Sequence, residues 1–91
     1  MMIDSNLLIA WGATYKKITF GQMIFAEGEQ AHFYYQVEIG CVKWLNVKDD
    51  GTEFIHHIID EGESFGELPL FDDEPYAATA IAETDGFVLR L

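Results

Sequence analysis

Two short runs near the C-terminal third of the chain could do chemistry on a ligand. They are Phe65-Gly66-Glu67-Leu68 and Pro75-Tyr76-Ala77-Ala78-Thr79. Glu67 offers a carboxylate acceptor, and Thr79 and Tyr76 offer hydroxyls. Pro69 and the Asp72–Pro75 cluster keep any helix between the runs short, so 65–79 reads as a binding loop with one helical turn near 66–71. Other reactive types are scattered. His56 and His57 are adjacent, so a regular strand would point them to opposite faces, and His32 completes no ligand spacing with them. A metal centre is therefore not expected. The pairs Asp49-Asp50 and Asp72-Asp73 sit in turns, where solvated carboxylates are ordinary, and no nucleophile–base pattern accompanies them. The reading is of a binding module and not an enzyme. Cys41 is the single cysteine, which excludes an internal disulfide and fits the cytoplasm.

Charge narrows the partners. The net charge is −11, and it is unevenly spread. Residues 1–48 hold four acids and four bases; residues 49–91 hold twelve acids and only Arg90 as a base. Such a surface repels phosphate backbones, so direct nucleic-acid binding by this chain is not expected. No apolar run reaches the roughly 18 residues of a membrane helix. Met1–Trp11 contains Asp4 and no Lys or Arg, unlike the start of a signal peptide.

The elements that must hold the loop are strands. A short helix is predicted over Ser5–Trp11, capped by Asp4 or Ser5, with Leu7, Leu8 and Trp11 on one face. Strand patterns follow at Tyr15–Phe20, Met23–Phe25, His32–Ile39, Cys41–Val47, Thr52–Ile59, Thr79–Glu83 and Phe87–Leu91. Asp49-Asp50-Gly51 is a hairpin turn, and Asp60–Glu63 and Thr84–Gly86 are further turns. Seven or eight short strands with glycine turns in 91 residues predict one all-β domain over 1–91, a double-stranded β-helix or jelly-roll barrel.

The ordered glycines carry a resemblance. Gly21, Glu27-Gly28-Glu29, Gly40 before Val42-Lys43, Asp50-Gly51 and Glu61-Gly62-Glu63 lead into FGEL and then PYAAT. The chain resembles the cyclic nucleotide-binding domain family, most closely the sensor domains of Crp/Fnr-type bacterial transcription regulators. The resemblance covers about Lys16 to Leu91. It implies a small-molecule effector and a loop whose short helix presents backbone N–H groups to a cyclic phosphate. In that family the Glu accepts from the ribose 2′-hydroxyl, an Arg pairs with the phosphate, and a hydroxyl residue beside it donates another bond. By position, Gly66, Glu67 and Leu68 match the first motif, and Ala78 and Thr79 the end of the second. Tyr76 stands where the Arg belongs and Ala77 where the hydroxyl usually sits.

Loss of a bidentate Arg–phosphate contact alone weakens affinity by about 10–100-fold or more. Glu67, Asp72, Asp73 and Glu74, with Glu63 just before them, add a local field that opposes an anion. Cyclic nucleotide binding is thus expected to be weak or absent, and no other cofactor is expected. Tyr76 either faces a different ligand or fills the space a nucleotide would take. The alternative function is a structural or protein-interaction β-roll with no small-molecule ligand. The resemblance also implies a dimerising helix and a helix-turn-helix, which do not follow Leu91 here. A homodimer would then use other surfaces, with Leu89, Leu91 and the N-terminal helix as candidates.

Overall fold

Glycine turns divide the chain into short antiparallel strands, as a computed structural model of residues 4–30, 33–65 and 75–91 describes. Helix α1 (Ser5–Ala10) opens it, followed by β1 (Thr14–Ile18), β2 (Met23–Phe25), β3 (Tyr35–Ile39), β4 (Val42–Val47), β5 (Glu53–Ile59), β6 (Ser64–Phe65), β7 (Thr79–Ala82) and β8 (Gly86–Arg90). They form two four-stranded sheets, in the orders β1-β8-β3-β6 and β2-β7-β4-β5. Successive strands alternate between sheets through much of the chain, which is the wrapping of a jelly roll. The all-β expectation holds, as two facing sheets. The helical turn near 66–71 lies outside the described residues.

The β4–β5 hairpin shows why the turns fall where they do. Gly51 has φ of 87°, a left-handed conformation that glycine adopts without steric cost. The Asp50 carboxylate accepts from the Thr52 N–H at 2.9 Å, and the Lys48 N–H donates to the Thr52 carbonyl at 2.9 Å. A local carboxylate thus fixes the turn that sets the register. At Asp60–Glu63 the Glu63 carboxylate accepts from the Asp60 N–H at 2.9 Å and lies 3.6 Å from the His57 ring. The backbone bond first, and His57 after it, hold the Glu63 carboxyl below its usual range against a smaller opposing effect of desolvation. A depressed folded pKa stabilises the fold above the unfolded value of about 4.3, and that contribution is lost as pH falls through the folded value. A carboxyl NMR titration should therefore give Glu63 a midpoint below that of an unfolded-chain glutamate. A midpoint at or above it would contradict the turn geometry.

The core lies between the sheets. Ile18, Phe25, Tyr35, Val37, Val42, Phe65, Tyr76, Ala80, Ala82 and Val88 are buried together, with Trp44 packed against them. A second cluster sits on the other side of the β1-β8-β3-β6 sheet, where Leu8 of α1 covers Leu89, Ala13 and Tyr34. The Asp4 side chain caps α1 by accepting from the Asn6 and Leu7 N–H groups.

Three sequence-level details change. Leu8 is the buried residue of α1, whereas Leu7 and Trp11 are exposed; Leu89 decides this by offering one contact point. Leu89 is fully buried, so it offers nothing to a partner chain. Ile39 is exposed despite its alternation with Tyr35 and Val37, because the β3–β8 register shifts between Val37 and Ile39.

Candidate functional site

The second motif leaves the loop at Pro75 and enters β7 at Thr79. Its backbone is pinned on both sides of Tyr76. The Tyr76 N–H donates to the Glu29 carbonyl at 3.0 Å, and its carbonyl accepts from the Gly28 N–H at 2.8 Å. The Glu27-Gly28-Glu29 turn and the motif therefore lie side by side, so a sequence pattern of separated turns becomes one site.

Tyr76 points inward. It is 4 % exposed, and its ring stacks on Phe25 with centroids 3.7 Å apart and planes 11° from parallel. Phe25 in turn meets Tyr35, Trp44 and Phe65 at centroid distances of 5.7, 5.6 and 6.0 Å. The Tyr76 hydroxyl donates to the Phe33 carbonyl at 3.1 Å. A phenol is suited to this position: the ring joins an aromatic core and the hydroxyl finds an acceptor at its edge. Of the two sequence readings, the described geometry is that of a ring filling the interior. Tyr35 has its phenol pKa raised, first by burial and then by Tyr76, with the Arg90 guanidinium acting in the opposite direction. Arg90 lies with its guanidinium carbon 4.1 Å from the Phe33 ring centroid.

Ala77 and Thr79 sit differently. Ala77 is exposed, and its carbonyl accepts from the Asn46 side-chain amide at 3.1 Å. The same amide donates to the Glu27 carboxylate at 2.8 Å, while the Asn46 oxygen accepts from the His56 ring. Thr79 is buried, and its hydroxyl oxygen accepts from the Glu27 N–H at 3.0 Å. The hydroxyl expected to face a ligand thus already ties β7 to the Glu27 turn. Gly66, Glu67 and Leu68 lie outside the described residues, as does His32.

Sequence reasoning missed Asn46, Glu27 and Phe25. Asn46 had a signal, because asparagine is depleted in strands and stands here within an apolar run. Phe25 had none beyond being apolar. The histidines separate as expected: His56 turns to Asn46 and His57 to Glu63. Among the described residues no cluster of His, Cys, Asp or Glu could hold a metal ion, and no helix is long and apolar enough to cross a membrane.

The chain's likeness to known proteins runs through this same region. It is 39 % identical over 77 residues to a cAMP-dependent protein kinase regulatory subunit from Colletotrichum orbiculare, covering 84 % of this chain and 19 % of that one. Among solved structures, the EAL enzyme Bd1971 in its cAMP-bound form superposes with a TM-score of 0.81 at 32 % identity, over 86 % of this chain and 21 % of that one. The N-terminal domain of a transcriptional regulator from Streptomyces coelicolor gives 0.83 at 30 % identity, over 94 % and 61 %. The chain spans about a fifth of the length of the curated relatives it matches. Those relatives are kinase regulatory subunits, so the likeness is to the sensor module and is wider than Crp/Fnr-type regulators. Residues 15–91 match the cyclic nucleotide-binding domain, and the chain belongs to that family.

Proposed function

We propose that this chain is the regulatory sensor module of a longer protein, with a nucleotide loop that no longer recognises a cyclic phosphate. The observation that carries this reading is the burial of Tyr76 at the position of the family's phosphate-pairing Arg. A stacked ring at 3.7 Å from Phe25 leaves no cation there. Ala77 has no hydroxyl to offer. The module's output passes to the rest of its protein, as regulation and not as catalysis. Kinase control and transcription control are both represented among the relatives.

Calorimetric titration with cyclic AMP and cyclic GMP tests the proposal. The expected result is no heat of binding, or a dissociation constant weaker by about 10–100-fold than an Arg-bearing loop allows. Submicromolar affinity for either nucleotide would overturn it.

A further inference from the structure

Three of the five basic residues of this acidic chain gather in one place. Lys16 and Lys17 are on β1 and Arg90 is on β8, and these two strands pair antiparallel with Lys16 opposite Val88 and Thr14 opposite Arg90. Residues directly opposite each other share a face, and alternate residues return to it. Lys16 and Arg90 therefore stand on the face of Ile18 and Val88, which is the inward face. Lys16 is exposed and Arg90 half-buried, so both stand at the open margin of that face.

They border a cleft of about 200 Å³ between the two sheets. Its apolar floor is Ile18, Ile24 and Val88, and its polar wall adds Gln22 and Tyr35 to the three cations. No carboxylate among the described residues lines it, and Glu29 acts on Tyr35 only as a minor charge. Among the described residues the ion pairs are Lys43 with Glu53 and Glu83, and His57 with Glu63; none involves Lys16, Lys17 or Arg90. With a net charge of −11, acids are plentiful, yet among the described residues none stands in this wall. Arg90 is held in place by the Phe33 ring, a cation–π contact that leaves its N–H groups free of any carboxylate among the described residues. The Tyr35 phenol is protonated at neutral pH whatever its burial and interacts with the Arg90 guanidinium, so its O–H remains able to donate.

We propose that this cleft is an anion site, built by β1 and β8. It takes a phosphate dianion, free or as the end group of a small monoester. Lys16 and Arg90 supply the charge, and Tyr35 and Gln22 supply further hydrogen bonds. Size and charge argue for this class. The cleft holds several water volumes of about 30 Å³ each but falls below the roughly 300 Å³ where pockets for drug-sized ligands begin. Lys16 and Arg90 share this face and repel one another, whereas Lys17, opposite Phe87, lies on the other face; a dianion offsets the repulsion better than the single charge of a cyclic phosphodiester.

The test is an NMR titration of the 15N-labelled chain with inorganic phosphate, at ionic strength held constant with chloride. Saturable shifts are expected at the amides of Lys16, Lys17 and Arg90, and cyclic AMP should not displace them. Arg90→Gln and Lys16→Gln should each weaken the dissociation constant by about tenfold or more. Lys16 is exposed, so its variant keeps the test open if the Arg90 variant fails to fold. A parallel titration with glycerol 3-phosphate assigns the site to a monoester if it binds more tightly than phosphate, and to the free ion if it binds more weakly. Shifts that chloride reproduces, that fail to saturate, that cyclic AMP displaces, or that survive Lys16→Gln unchanged would overturn the proposal.

Discussion

Replacing Tyr76 by alanine is expected to lower the unfolding free energy by about 3–5 kcal/mol, the range for removing a large aromatic side chain from a packed core. The ring is 4 % exposed and lies flat on Phe25, which itself contacts three further aromatic rings. Its removal opens a void in the middle of the cluster, where backbone hydrogen bonds to Glu29 and Gly28 prevent the segment from collapsing inward. Tyr76→Phe keeps the ring and loses the bond to the Phe33 carbonyl, a cost of about 1 kcal/mol. Tyr76→Arg restores the family's side chain but places a guanidinium among aromatic rings. It is expected to destabilise at least as much as alanine and to bring no gain in cyclic nucleotide affinity. Urea unfolding of the three variants checks the order. A domain of this size has roughly 5–15 kcal/mol in total, so the alanine variant removes a large share. An alanine variant within about 0.5 kcal/mol of the parent would show that Tyr76 is not a core residue.

The contrast between the phenylalanine and alanine variants also separates two accounts of the substituted loop. If Tyr76 served chiefly to hold a polar ligand by its hydroxyl, phenylalanine would remove its role. If it serves to fill the interior, phenylalanine keeps most of it. The stacking geometry and the depth of burial favour the second account. Tyr76 is thus part of the folding core. This packing ties the loop's exit to Phe25 on β2, and so to the sheet opposite β1 and β8.

Local chemistry was legible in the sequence where one or two residues decide the outcome. Asp50-Gly51 announces a hairpin because the carboxylate and the positive φ are both local, and Asp4 announces a helix start for the same reason. Most strand positions were legible to within a residue or two, because alternation is a property of the strand itself; β3 begins three residues later than its pattern, and the two-residue β6 had none. What failed depended on another element. The buried face of α1 is set by Leu89, far along the chain, and Ile39 turned outward because of a register shift against β8. The β4–β5 register likewise shifts between Trp44 and Leu45. The glycine order and motif spacing singled out Tyr76 as a departure from the family's pattern, but not its burial. Its partner Phe25 lies on a different strand and had no pattern linking them. The β1–β8 cleft was invisible for the same reason, since it needs the pairing of Lys16 with Val88 before Arg90 comes near.

Gly86→Ala is expected to cost about 3 kcal/mol or more, a large share of the domain's stability. Gly86 begins β8 opposite Ile18, and the chain of β3 passes directly over it. A Cβ built on Gly86 would overlap the Ile39 carbonyl oxygen, lying 2.7 Å from the Ile39 carbonyl carbon and 3.2 Å from the Gly40 Cα. All three are backbone atoms, so no side-chain rotation relieves the clash. One strand must move, and β8 is the inner strand between β1 and β3. Moving it disturbs both ladders, and it also shifts Val88 in the main core and Leu89 under α1. The natural comparison is Gly21→Ala, where the added Cβ meets nothing within 4 Å and only the positive φ of 81° is strained. That variant should cost about 1–2 kcal/mol and fold. Circular dichroism melts of the two variants make the comparison. A Gly86 variant as stable as the Gly21 variant would mean that β3 and β8 do not approach as closely as the Ile39–Phe87 register requires.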